Sequence, residues 1–145
     1  MARFGRIIAL VSLLILWASG TQAEVAIIAN DLVPADSLSK SELFDIYSGD
    51  IQRWRNGLPI VLTDLKERGE VRDTFFAYLG TPPSRMKSIW LKRMLSGEGD
   101  PPETLDTEVD VLSKVRSTPG AIGFISVTRV DDSVKVLAVI SQVSE

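Results

Sequence analysis

Four short apolar runs rich in β-branched residues punctuate this chain, at 25–29 (VAIIA), 60–62 (IVL), 121–125 (AIGFI) and 134–140 (VKVLAVI). Between the first three lie segments whose apolar residues recur at intervals of three and four. Continuous apolar runs suit strands covered on both faces rather than half-wet ones. Such strands need helices above and below them. The order strand, helix, strand, three helices, strand, strand therefore specifies a three-layer α/β domain with a mixed sheet.

The helical segments carry their own boundary signals. Ser39-Lys40-Ser41-Glu42 is a capping-box pattern, with Leu38 and Leu43 placed as a hydrophobic staple. Leu43, Phe44, Ile46 and Tyr47 follow, and Gly49 suits the stop. A second helix is expected from Glu70 to Leu79, with a polar connection over 64–69. Gly80-Thr81-Pro82-Pro83 breaks it, and Ser84 is expected to cap a third helix running to Leu95. Met86, Ile89, Trp90, Leu91, Met94 and Leu95 sweep an apolar arc wider than one core contact requires, which is either a largely buried helix or a partner surface. Residues 96–102 (SGEGDPP) read as a loop, and Thr107 as the cap of a fourth helix.

Arg3 and Arg6 precede an apolar run from Ile7 to Ala18, followed by the small-x-small site Thr21-Gln22-Ala23. Twelve residues make a helix of about 18 Å, short of a ~30 Å hydrocarbon core. The expectation is a signal peptide over 1–23 and a single domain over 24–145, periplasmic or secreted, with an uncleaved anchor as the other reading. The chain has neither Cys nor His. That removes disulfides, lipid attachment at Cys, Cys/His zinc sites, thiol nucleophiles and imidazole bases. The formal charge of −3 disfavours nucleic acid as a partner. No catalytic constellation stands out, so no enzyme activity, metal or cofactor is expected.

Several segments, taken in order, resemble a known family. They are Leu43-Phe44-Asp45-Ile46-Tyr47-Ser48-Gly49-Asp50-Ile51, Trp54, Asn56-Gly57-Leu58-Pro59-Ile60, Arg72 to Phe76, Trp90, residues 97–102 (GEGDPP) and residues 118–124 (TPGAIGF). The set is similar to the phosphate-type substrate-binding proteins of bacterial ABC transporters, from about Val25 to Val139. The resemblance implies one lobe of a type II periplasmic binding protein fold, in a chain of roughly half the usual length. It also implies a loop in which Ser, Gly and Thr open a helix around phosphate, behind an Arg. Matched through Arg72 and Phe75, those three positions fall here on Gly69, Glu70 and Val71. The Arg position falls near Leu65, with Lys66 and Arg68 the nearest bases.

The candidate ligand-binding residues are therefore Asp64, Arg68, Gly69, Glu70, Val71 and Arg72. Unpaired amides and the dipole at a helix N-terminus favour an anion there. Glu70 is itself an anion at that end, and can instead satisfy the dipole and repel phosphate. Asp64 ends a strand, where functional groups gather in α/β sheets, but turn-forming Asp residues sit there too. Trp54 between Arg53 and Arg55 reads either as an exposed anchor or as a lid on its own loop. Glu103, Asp106, Glu108 and Asp110 read as a solvated acidic patch. Two functions follow: a solute-binding-like module for phosphate or another small oxyanion, alone or paired with a second copy as a homodimer, or a periplasmic accessory that has lost ligand binding and docks on a membrane permease or envelope sensor.

Overall fold

The computed structural model describes residues 23–141; the apolar run expected to be a signal peptide lies outside them. The elements are β1 (Val25–Ala29), α1 (Lys40–Ser48), β2 (Val61–Leu65), α2 (Glu70–Leu79), α3 (Pro83–Leu95), β3 (Glu103–Leu105), α4 (Glu108–Ser117), β4 (Ala121–Ser126), a short 3-10 turn (Val127–Arg129) and β5 (Lys135–Ile140). The five strands form one sheet in the order β3-β2-β4-β1-β5. β2 runs parallel to both β3 and β4, while β1 runs antiparallel to β4 and β5. The expected mixed sheet between helical layers is present.

Central strand β4 shows why the layers form. Successive strand residues point to opposite faces. Phe124 points toward α1 and α2, where its ring stacks on Phe75 at 3.9 Å between centroids and 7° between planes. Tyr47 meets Phe75 edge-on at 4.9 Å. Gly123 faces the other way, toward α4. A Cβ built there would lie 2.4 Å from Thr63 Oγ1 and 2.8 Å from Val111 Cγ1. Aromatic bulk thus fills one side, and the absence of a side chain lets α4 approach on the other.

Polar groups close the seams that apolar packing leaves. Buried Asn30 donates from Nδ2 to the carbonyls of Val115 (2.9 Å) and Arg116 (3.0 Å), satisfying the end of α4. Tyr47 Oη donates to the Thr63 carbonyl at 3.0 Å, and Trp90 Nε1 to the Tyr47 carbonyl at 2.6 Å. The capping box at Ser39 and Glu42 forms as expected.

Two local expectations are corrected, and one strand is additional to those expected. Ser84 does not cap α3: Pro82 holds the cap position, Pro83 is the first helical residue and Ser84 lies inside the helix. Proline fits there because its φ is already helical and the missing N–H would have no intrahelical partner. β2 runs on through Asp64 and Leu65, into the segment expected to be a polar connection. Residues 103–105 form an edge strand although only Leu105 is apolar, because β2 supplies its hydrogen bonds.

Replacing Gly123 with Ala forces a methyl between two stiff β-branched side chains and breaks the 2.9 Å bond from Thr63 Oγ1 to the Ile122 carbonyl. Chemical denaturation is expected to show a loss of about 1–3 kcal/mol. An unchanged midpoint would contradict the close approach of α4.

Candidate functional site

Strands β2, β3 and β4 are parallel, so their carboxyl ends lie at one edge of the domain. The chain leaves β2, crosses to β3 on one side of it, and returns through α4 to β4 on the other. The strand order therefore reverses between β2 and β4. Ligands of open α/β sheets bind in the crevice at such a point. Here the β2–β4 ladder pairs Val61 with Ala121 and Leu62 with Ile122. Beyond it lies a cavity of about 400 Å³ lined by Leu65, residues 67–72, Glu108, Ser126, Thr128 and Arg129.

Five of the six residues expected from sequence line this cavity: Arg68, Gly69, Glu70, Val71 and Arg72. Gly69 is the N-cap of α2 and has no side-chain cap. Its φ of 154° and ψ of −171° fall in a region open essentially to glycine alone. Glycine at the position expected to carry Ser is thus a backbone requirement of this loop. Glu70 and Arg68 are exposed. Glu70 is the first residue of α2, where a carboxylate complements the helix dipole.

Asp64, the sixth, is not among the lining residues. It is buried, its side chain 5% exposed, accepting from the Leu65 amide at 2.8 Å and facing Arg72 Nη2 at 3.4 Å. Arg72 is held more firmly by its other contacts. Its Nε donates to the Leu65 carbonyl at 2.8 Å, and its guanidinium sits 4.8 Å from the Phe76 ring centre. Burial raises the Asp64 carboxyl above its ordinary value, outweighing Arg72 and the Leu65 amide, which lower it. Asp64 is thus a buried neighbour of Arg72 rather than a lining residue of the cavity.

Glu108, expected to be one of a solvated acidic group, is the residue the sequence reading missed. Its side chain is 14% exposed and pairs with Arg129 Nε at 3.2 Å. Its Oε1 accepts from the Ser126 amide at 2.5 Å. A carboxylate of the chain therefore occupies the Ser126 amide and the Arg129 guanidinium at the end of β4. The signal available was its place one residue after the capping Thr107; nothing local announced Arg129. Glu103 instead pairs with Lys114 at 2.9 Å.

Trp54 is buried, and its Nε1 donates to the Gly120 carbonyl at 3.0 Å, so it fastens its own loop to the start of β4. The apolar arc of α3 divides. Met86 and Trp90 are buried, whereas Leu91, Met94 and Leu95 are exposed.

A Clostridium perfringens protein described as a phosphate ABC transporter substrate-binding protein with bound phosphate superposes with a TM-score of 0.65. It is 26% identical, over 79% of this chain and 45% of its own. An ABC-type phosphate transport receptor from Vibrio cholerae gives a TM-score of 0.63 at 23% identity, over 79% of this chain and 46% of its own. PstS from Borrelia burgdorferi gives 0.59 at 14%, over 81% and 48%. The chain thus resembles the phosphate ABC transporter substrate-binding proteins and has the α/β fold of one of their lobes. It spans less than half the length of these structures. No family model matches the sequence.

A carboxyl that holds its proton more tightly when folded contributes most stability below its ordinary value of 3.8 and loses it as pH rises through the raised midpoint. The unfolding free energy of the wild type relative to Asp64→Asn is therefore expected to fall as pH rises from below 3.8 toward neutrality. Urea titrations across that range check this, and a rising difference would contradict it.

Proposed function

We propose that this protein is an exported solute-binding-like module that takes phosphate or another small oxyanion weakly in the crevice beyond β2 and β4. One observation carries the reading: the uncapped amino end of α2 and the cations Arg68, Arg72 and Arg129 converge on one cavity at the reversal of strand order. The likeness to a structure with bound phosphate supports the same ligand class. Glu67, Glu70 and Glu108 line the cavity too, so its formal charge is balanced. Weak, salt-sensitive binding follows, without the dense donor set of a high-affinity site. Residues 1–23 act in this reading as the export signal, the periplasm is the compartment, and a membrane permease is the downstream partner. The reading assigns no catalytic step.

Titration calorimetry with inorganic phosphate is expected to give a dissociation constant in the millimolar range. Glu108→Gln removes the competing charge and is expected to tighten binding by about threefold to tenfold, about 1 kcal/mol. Arg129→Ala is expected to abolish it. Heatless titrations of folded wild type and Glu108→Gln alike would overturn the proposal.

A second reading is favoured by a separate observation: Leu91 and Leu95 stand 50% and 77% exposed on α3, and neither lines the crevice. In this reading the domain works as an accessory that docks on another envelope protein. Crosslinking in intact cells tests it, and a domain that crosslinks to nothing would overturn it.

A further inference from the structure

The outer face of α3 has a composition unlike the rest of the chain. The helix carries Arg85, Lys87, Lys92 and Arg93 and no acidic residue, in a chain with 16 basic and 19 acidic residues. Arg93 turns inward to Asp50 and Glu98. Among the described residues, Arg85, Lys87 and Lys92 enter no ion pair. All three are exposed.

Between these cations runs a seam. Ser84, Ser88, Leu91 and Leu95 are exposed and follow one another at intervals of four, three and four. That is the spacing with which one helix packs along another. At 3.6 residues per turn, Arg85 and Lys92 fall on one flank of the seam and Lys87 on the other. Ser88, Leu91, Lys92 and Leu95 share one open, nearly flat patch of the helix surface. Small residues at one end and leucines at the other leave room for a neighbour's side chains at the first and apolar contact at the second.

We propose that this face docks an amphipathic helix of a partner protein whose apolar stripe is flanked by acidic residues. The inference rests on the accessory reading above and names its surface and the chemistry of its partner. Charge decides between occupants. A second copy pairing symmetrically through α3 would set cation flank against cation flank, which is unfavourable. A lipid surface would find two leucines, with Met94 at the margin, and no outward aromatic, because Trp90 is buried. That is little apolar area for an interfacial anchor. An acidic-flanked helix meets both the leucines and the free cations.

The test uses the purified protein and labelled synthetic helices with leucine at the seam positions. One peptide carries glutamate on its flanks and the other lysine. The glutamate peptide is expected to bind, to weaken as salt rises, and to bind about tenfold or more weakly to Leu95→Asp and to the double variant Lys87→Glu/Lys92→Glu. These positions are exposed, and circular dichroism checks that each variant stays folded. Sedimentation is expected to show a monomer, and vesicles of phosphatidylglycerol are expected to leave the protein in solution. Equal binding of both peptides, no binding of either, self-association lost in Leu95→Asp, or vesicle binding would each overturn the proposal. An envelope protein that crosslinks equally to wild type and Leu95→Asp would overturn this surface while leaving the accessory reading intact.

Discussion

Everything in this domain is arranged around the burial of β4 on both faces. Ala121 to Ile125 are all buried, and the strand is parallel to one neighbour and antiparallel to the other. One face is filled by the stacked Phe75 and Phe124 rings with Tyr47 edge-on. The other is kept open by Gly123 so that Val111 and Val115 of α4 can reach the sheet. Trp54 ties a separate loop to the carbonyl just before the strand. An aromatic cluster and a missing side chain, one residue apart, thus fix the separation of the two helical layers.

That arrangement also makes the crevice. Because β4 inserts beside β2 after the chain has visited β3, the carboxyl ends of β2 and β4 face a gap flanked by the first residues of α2 and α4. The amino end of α2, which has no side-chain cap, opens onto it. The chain also places its own carboxylates nearby. Asp64 faces Arg72 at 3.4 Å, and Glu108 holds Arg129 and the Ser126 amide. In this account the crevice is set for weak rather than tight anion binding.

Features with a local physical cause were legible in the sequence. The capping box at Ser39, the glycine stop at Gly49, the buried runs of β1 and β4, and the helix from Glu70 to Leu79 all depend on residues close together in the chain. So does the α2 loop, which is why five of the six candidate residues fall on one cavity. What escaped needs contacts between distant segments. β3 exists because β2 pairs with it, Glu108 leaves solvent because Ser126 and Arg129 come from another strand end, and Asp64 is covered by Arg72 and the sheet. The wide apolar arc of α3 was visible as a pattern. Only the packing shows that Met86 and Trp90 point inward while Leu91 and Leu95 do not.

The claim on which the functional account turns is that the amides at the amino end of α2, with that of Ser126 at the end of β4, take an external anion in competition with Glu108. Amide resonances report this residue by residue. Titration of isotope-labelled protein with phosphate is expected to shift the amides of Gly69, Glu70, Val71 and Ser126 together, along one saturating curve. Shifts confined to scattered surface lysines, or none at those four amides, would contradict the account.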